Sequence, residues 1–181
     1  VDMPVEDFYM EGEVFEDLSK TFISFVQFDF DMNPIAEFEI EQSGNSGFNG
    51  MAVDNDGNIY TLFCEYGIET TPGMYKDLYT LVGYSATGEE GYSQTGTELF
   101  SIPLGKDVPD DEYFYVNTIL CNDENIVVWG MDTIEVYSFS GEHVKDIDVS
   151  NTDLGQMFLL RDGTLASLCY GEMNMYFVTI D

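Results

Sequence analysis

Short runs of alternating apolar and polar residues, separated by turn residues, make up most of this chain. The clearest stretch covers residues 113–149, where three turns at 122–125, 130–132 and 140–142 separate four such runs. Asn, Asp, Gly and Ser dominate these turns, because they tolerate turn backbones or hydrogen-bond their own main chain. Alternation with a period of two between turns predicts one unit of four antiparallel strands.

The same unit recurs along the chain. We predict a half unit at about 21–41, complete units at about 50–104 and 112–149, and a partial unit at about 156–181. The first turn of a unit falls at Gly57, Glu124 and Gly163, and the longest interval contains an insertion at 65–77. A Gly-, Ser- and Asn-rich stretch at 42–49 predicts a loop.

Four-stranded units with periods of about 40 to 50 residues are the signature of β-propeller blades. The pattern therefore predicts an all-β fold, a partial β-propeller in a single domain over 1–181, with residues 1–20 as an acidic segment leading into it. Propellers typically close with about four to eight blades, so this chain would form a sector of a larger ring. A two-sheet β-sandwich built from similar hairpins is the alternative.

Acidic side chains outnumber basic ones by 35 to 5, which gives the 181 residues a formal net charge of −30. Nucleic acids and anionic membrane surfaces are poor partners for such a chain, since they bind through Lys and Arg. The charge suits either attraction to cations and basic partners or a solvated, secreted surface. No apolar run approaches the roughly 18 to 20 residues of a membrane helix, so we expect no direct membrane insertion.

Three cysteines, Cys64, Cys121 and Cys169, lie within or at the end of apolar runs. Their odd number and wide spacing do not fit a disulfide framework or a zinc site, so we expect buried thiols. The sequence begins at Val1 without a signal peptide, which predicts a mature or trimmed piece.

A family resemblance rests on the turn motifs. Residues 53–60 (VDNDGNIY), the Tyr-Ser-x-Ser/Thr-Gly-Glu turns at 84–89 and 137–142, and the turn at 160–163 (LRDG) resemble the repeats of NHL and quinoprotein-like propellers. The chain is especially similar to the amino-terminal propeller regions of acidic lipoproteins from gut Clostridia. In those proteins the propeller often precedes the extracellular solute-binding domain of an ABC importer.

The resemblance implies an extracytoplasmic protein, either a cell-surface lipoprotein or a secreted one. It implies a non-enzymatic module for recognition or scaffolding in carbohydrate or peptide uptake, with further blades and a solute-binding domain in the parent chain. Turn motifs identify a fold and not a ligand, so no catalytic or binding residue carries over. The alternative function is a propeller hydrolase that acts on polysaccharide through carboxylates, for which 35 acidic residues offer many pairs.

Asp54 and Asp56 are the candidate metal ligands. With Asn58 and Glu65 they follow part of a calcium-loop spacing, but Ile59 occupies the position where that loop needs Gly. A hairpin turn explains the same residues. The sequence therefore predicts no cofactor beyond a weak calcium site at Asp54 and Asp56.

Tyr75 and Tyr79 are the candidate ligand-binding residues. They lie in or beside the insertion at 65–77, where an added loop could present aromatic faces to a sugar ring. Trp129 lies in a run that is apolar throughout, which predicts a place in the core. His143 is the sole histidine, so a Ser-His-Asp triad would have to use it, and its polar strand predicts an exposed edge instead.

Overall fold

A computed structural model of the protein describes residues 21–28, 31–42, 46–85, 97–105, 108–109, 112–150, 155–160, 164–168 and 175–178. Thirteen β-strands form in this part of the chain, which contains no helix. The prediction of an all-β fold is confirmed. The expected acidic segment at 1–20 lies outside the described residues.

Four antiparallel sheets follow one another in chain order. The first sheet is a hairpin of β1 (Thr21–Phe28) and β2 (Pro34–Gln42). The second contains β3 (Ser46–Val53), β4 (Ile59–Thr71), β5 (Met74–Ser85) and β6 (Thr97–Leu104) in sequential order.

The third sheet is again a four-stranded meander, of β7 (Val116–Cys121), β8 (Asn125–Gly130), β9 (Thr133–Ser138) and β10 (His143–Asp148). The fourth sheet contains β11 (Gln156–Leu159), β12 (Leu165–Leu168) and β13 (Met175–Val178). Both complete sheets run from their first to their last strand without a crossover.

Three separate clusters of buried side chains join neighbouring sheets. Phe25 and Ile40 of the first sheet pack with Val82 and Tyr84 of the second. The second and third sheets share the largest cluster, which we call the main core cluster. It consists of Tyr60, Leu62, Cys64, Tyr79, Leu81, Leu104, Val116, Ile119, Ile126, Val128 and Tyr137. The third and fourth share a smaller one, formed by Val127, Ile134, Val136, Val149, Met157 and Leu165. Each middle sheet thus buries both of its faces.

The first strands of the second and third sheets lie beside each other. Strand β3 contacts β7, and β7 also contacts β11. Gly50 on β3 approaches Ile119 on β7 so closely that a Cβ there would lie 3.5 Å from its Cγ2. The turns that follow these strands are bridged as well, by a 3.0 Å hydrogen bond from Asn55 Nδ2 to Asp123 Oδ1.

An aromatic stack forms the centre of the contact between the second and third sheets. The ring of Tyr60 lies nearly parallel to those of Phe100 (centroids 6.1 Å apart) and Phe139 (5.6 Å apart). Gly141, in the turn after β9, has φ +85° and a Cβ position 2.7 Å from the Phe100 ring. Only glycine satisfies both conditions, which explains the glycine of the Tyr-Ser-x-Ser-Gly-Glu turn.

The first and fourth sheets expose apolar side chains on the faces that point away from their neighbouring sheet. On the first sheet these are Phe22, Val26 and Phe28, which alternate with the buried Phe25. On the fourth sheet Phe158 and Phe177 flank Ala166 across the register, and Phe177 is 62% exposed. The sheets do not close into a ring within the described residues.

Two local predictions were wrong. The stretch 42–49 is not a loop throughout, because β2 extends to Gln42 and β3 begins at Ser46. The insertion at 65–77 is not an added loop either. Its residues lengthen β4 and β5 into one long hairpin, whose register shifts at β-bulges between Glu65 and Ile68 and between Glu69 and Thr71.

None of the described residues belongs to a helix long and apolar enough to cross a membrane.

Candidate functional sites

Asp54 closes the turn between β3 and β4 through four hydrogen bonds. Its Oδ1 accepts from the backbone N–H groups of Asp56 (2.9 Å) and Asn58 (2.8 Å). Its Oδ2 accepts from Asn58 Nδ2 and from the Tyr60 hydroxyl, both at 2.8 Å. This turn therefore connects directly to the aromatic stack through Tyr60.

These bonds control the ionisation of Asp54. Burial alone would raise the pKa of this carboxyl, but hydrogen bonds from the side chains of Asn58 and Tyr60 and from two backbone N–H groups together outweigh burial and lower the pKa. Burial also raises the pKa of Tyr60, and its bond to Asp54 raises it further. At neutral pH the turn thus holds a carboxylate that accepts from a neutral phenol.

The predicted calcium ligands Asp54 and Asp56 have different environments. Asp54 uses both carboxylate oxygens for the bonds just described, whereas the side chain of Asp56 is exposed. No group of three or more His, Cys, Asp or Glu side chains that could hold a metal occurs in the described part of the chain. A cation at Asp54 would compete with four protein donors, and calcium binding there stays a prediction.

Tyr75 and Tyr79, the predicted ligand-binding residues, lie in different environments. Tyr75 lies near the tip of the long hairpin and is 63% exposed, whereas Tyr79 is only 2% exposed. The Tyr79 ring contacts the edges of Phe114 and Tyr115 within the main core cluster. Burial leaves Tyr79 without a free ring face, so the two residues do not share a surface.

A different group of exposed tyrosines lies at the end of the second and third sheets where β7 begins. We call Tyr66, Tyr113 and Tyr115 the tyrosine patch; they are 52%, 70% and 39% exposed. The rings of Tyr113 and Tyr115 are nearly parallel, 9° apart, with centroids separated by 6.4 Å. The sequence did not single out these residues, because Tyr113 and Tyr115 have the alternation of an ordinary strand.

Several contacts fix the patch in place. Phe114, between the two tyrosines, packs on Gly105 and on the Tyr79 ring, which Tyr115 also contacts. Tyr66 lies across the backbone of Gly47, where an added Cβ would lie 2.6 Å from the ring. Lys76 Nζ donates to the Val108 carbonyl at 2.9 Å and so ties the long hairpin to the segment that precedes Tyr113.

Carboxylates accompany the tyrosine patch. Asp77 Oδ1 accepts from the backbone N–H of Gly67 at 2.9 Å, next to Tyr66 in the chain. Burial raises the pKa of Tyr66, and the proximity of Cys64, Asp77 and Tyr115 raises it further. Glu65 and Glu112 adjoin the patch in sequence. Acidic residues therefore outnumber the one basic residue, Lys76, among these neighbours of the patch.

A second polar cluster lies on β9 and β10. The Tyr137 hydroxyl donates to Glu135 Oε2, and Glu135 lies directly opposite Asp146 in the register. Asp146 Oδ1 is 2.7 Å from His143 Nε2, and the His143 ring contacts the Tyr137 ring edge to face. Burial raises the pKa of Glu135, while the bond from Tyr137 opposes that rise. His143 is exposed, as predicted, and the described contacts give it no serine partner.

The thiols and the tryptophan belong to the sheets. Cys64 is fully buried and Cys121 half-buried, and neither forms a disulfide. Burial raises the pKa of Cys121 to about 12, which keeps this thiol protonated. Cys169 lies outside the described residues. Trp129 packs against the cluster between the third and fourth sheets, in agreement with its predicted place in the core.

Comparison with known proteins gives one similar structure. No protein-family model matches the chain, and neither does any curated protein. A crystal structure of a protein of unknown function from Bacteroides caccae aligns with 85% of the chain, at 12% sequence identity and a TM-score of 0.45. The chain spans about half of that protein, 53% of its length.

Proposed function

We propose that this chain is a sector of a β-propeller and serves as a non-enzymatic module for recognition or scaffolding. The observation that carries this proposal is the order of the sheets. Each sheet packs on the next one in the sequence. In the second, third and fourth sheets the first strands also lie side by side, β3 with β7 and β7 with β11. Blades around a common axis have this arrangement, whereas a two-sheet sandwich would pair only two faces.

The exposed outer faces support continuation of the ring. Phe22, Val26 and Phe28 at one end of the stack and Phe158 and Phe177 at the other are the side chains that further blades would cover. Apolar residues in such rows are costly to leave in water, and contiguous exposed patches usually mark a contact surface. We therefore propose that the parent chain supplies more blades.

The proposed setting is extracytoplasmic, in a lipoprotein or secreted protein that takes part in carbohydrate or peptide uptake beside a solute-binding domain. The resemblance in the turn motifs supports this setting. The net charge of −30 agrees with an aqueous surface that repels nucleic acid and anionic lipid. Recognition would occur at the end of the sheets that presents the tyrosine patch.

A glycan array combined with a reducing-sugar assay tests the proposed role. The full chain, and the parent propeller once cloned, are applied to the array and then incubated with each glycan that binds. Binding without release of reducing ends is the expected result for a recognition module. Release of reducing ends at a rate well above that of a heat-denatured sample would instead identify a hydrolase.

A polysaccharide hydrolase is the second candidate, and one pair of carboxyl groups favours it. Glu135 has a pKa raised by burial, as a general acid requires, and faces Asp146 across the strands. Glu135→Gln removes the acid while keeping an acceptor for Tyr137. If turnover is found on any glycan, loss of turnover in this variant would assign it to the pair, and unchanged turnover would exclude the pair.

A further inference from the structure

The tyrosine patch combines two features that suit one kind of ligand. Tyr113 and Tyr115 expose nearly parallel rings, and Tyr66 exposes a third ring. Tyr66 lies on Gly47, which is in register with Cys64 and through it with Tyr79, whose ring contacts Tyr115. Aromatic faces carry negative electrostatic potential, so they attract cations that rest on them. The rings are held by Phe114, Gly47 and the main core cluster, which leaves them preorganised for contact.

The charge around the patch complements a cation. Asp77 bonds the backbone beside Tyr66, and Glu65 and Glu112 adjoin the patch in sequence, whereas Lys76 is the one basic residue among the contacts that support it. The whole chain carries 30 more negative than positive charges. An anionic ligand would be repelled from this surface, and a neutral one would gain nothing from its potential. A cation gains from both the rings and the carboxylates.

We propose that the tyrosine patch binds a basic segment of a protein partner, with Arg or Lys head groups resting on the rings of Tyr66, Tyr113 and Tyr115. The proposal rests on the recognition role proposed above and names its partner class. Arg is the favoured head group, because its planar guanidinium stacks on aromatic rings and is more weakly hydrated than an ammonium.

An NMR titration of the full chain, with tyrosine rings labelled, tests this proposal. The probe is the acetylated, amidated peptide Gly-Arg-Gly-Arg-Gly, and its control carries citrulline, an uncharged analogue of the same shape, in place of both arginines. At about 0.15 M salt, where long-range attraction is largely screened, we expect saturable shifts in the three ring signals. The arginine peptide should bind about tenfold more tightly than the citrulline peptide.

Variants of Tyr113, the most exposed ring, separate the aromatic face from the hydroxyl group. Tyr113→Ala should raise the dissociation constant roughly three- to tenfold, and Tyr113→Phe should leave it within about twofold. Phe28→Ala, which truncates an exposed ring on the first sheet, is the matched control and should leave the dissociation constant unchanged. Urea midpoints equal to that of the unmodified chain show that each variant is folded.

Gly47→Ala tests the support of the patch. The added methyl group would displace the Tyr66 ring, and since Gly47 has no positive φ, the urea midpoint should change little. We expect a dissociation constant raised about twofold or more, together with a shifted Tyr66 signal. A shifted signal with unchanged affinity would remove Tyr66 from the site.

Two results would overturn the proposal. Equal responses to the arginine and citrulline peptides would show a surface that does not select charge, and shifts spread over the chain that persist in Tyr113→Ala would show non-specific attraction to the acidic surface. A glycan-array signal alongside either result would leave the recognition role intact and reject only the cationic partner. A saturable, charge-selective response would support both.

Discussion

Replacing Asp54 tests the link between the repeated turn and the core. Asp54→Ala removes the acceptor of four hydrogen bonds, one of them from Tyr60, whose side chain is fully buried. A buried donor left without an acceptor costs about 1–3 kcal/mol, and loss of the two backbone bonds, partly replaced by water, adds roughly 1 kcal/mol. We expect the free energy of unfolding to fall by about 2–4 kcal/mol.

Urea denaturation followed by fluorescence measures this loss. With a slope near 2 kcal/mol per molar urea, the midpoint should fall by about 1–2 M. Asp56→Ala is the matched control, since it changes an exposed carboxylate in the same turn, and its effect should stay within about 0.5 kcal/mol. Equal small effects of both variants would refute the structural role of Asp54.

The dependence of stability on pH is an independent test of the contribution of Asp54 to the free energy of unfolding. Its folded-state pKa lies below the usual 3.8, so the stability that it contributes is fully present above that value and is lost as the pH falls through the lowered pKa. Asp54→Asn should therefore show a shallower loss of stability in acid than the unmodified chain. Calcium added at neutral pH tests the remaining alternative, a metal site at this turn. A urea midpoint that calcium raises in the unmodified chain, but not in Asp56→Ala, would assign a metal to the turn.

Three further predictions concern other parts of the fold. Gly141→Ala should destabilise the chain by about 1 kcal/mol more than Gly73→Ala in urea titrations, because both residues have positive φ but only Gly141 meets the Phe100 ring; equal losses would contradict the packing. The folded-state pKa of Glu135 is raised above 4.5, so the stability that its protonated carboxyl contributes is fully present below pH 4.5 and is lost as the pH rises through the raised pKa. Glu135→Gln should therefore make the free energy of unfolding less dependent on pH over this window. An unchanged pH profile would argue against the raised pKa. The Cys121 thiol should react with Ellman's reagent at pH 8 at least about tenfold more slowly in the native chain than in urea, and equal rates would show that it is accessible.

The sequence predicted the strands and turns well because their signals are local. The Asp-Gly turn at 54–58 and the Ser-Gly turn at 138–142 combine a side chain that bonds its own backbone with a glycine at positive φ. Such chemistry is visible in a few consecutive letters. Both turns form between the strands where the pattern placed them.

The candidate site was harder to predict because burial depends on contacts distant in sequence. Tyr75 and Tyr79 have similar sequence surroundings, yet Tyr75 is exposed near the tip of the long hairpin and Tyr79 is buried against the Phe114 ring. The tyrosine patch combines a residue of β4 with two residues of the segment before β7. The periodic pattern of a sequence does not predict which distant segments contact each other. Tyr66 and Tyr115 become part of one surface because Tyr79, two strands from the Gly47 backbone that supports Tyr66, contacts the Tyr115 ring.

The side-by-side arrangement of β3 and β7 is the central claim, and nuclear Overhauser effects across it are its most direct test. Gly50 Hα should show a cross-peak to the γ2 methyl of Ile119, and the Tyr60 ring should show cross-peaks to the Phe139 ring. The first contact joins the second and third sheets through their first strands, and the second joins the same sheets through the aromatic stack, as neighbouring blades around an axis require. Absence of both sets, with cross-peaks instead between β1–β2 and β11–β13, would contradict the stack of sheets and the proposed propeller with it.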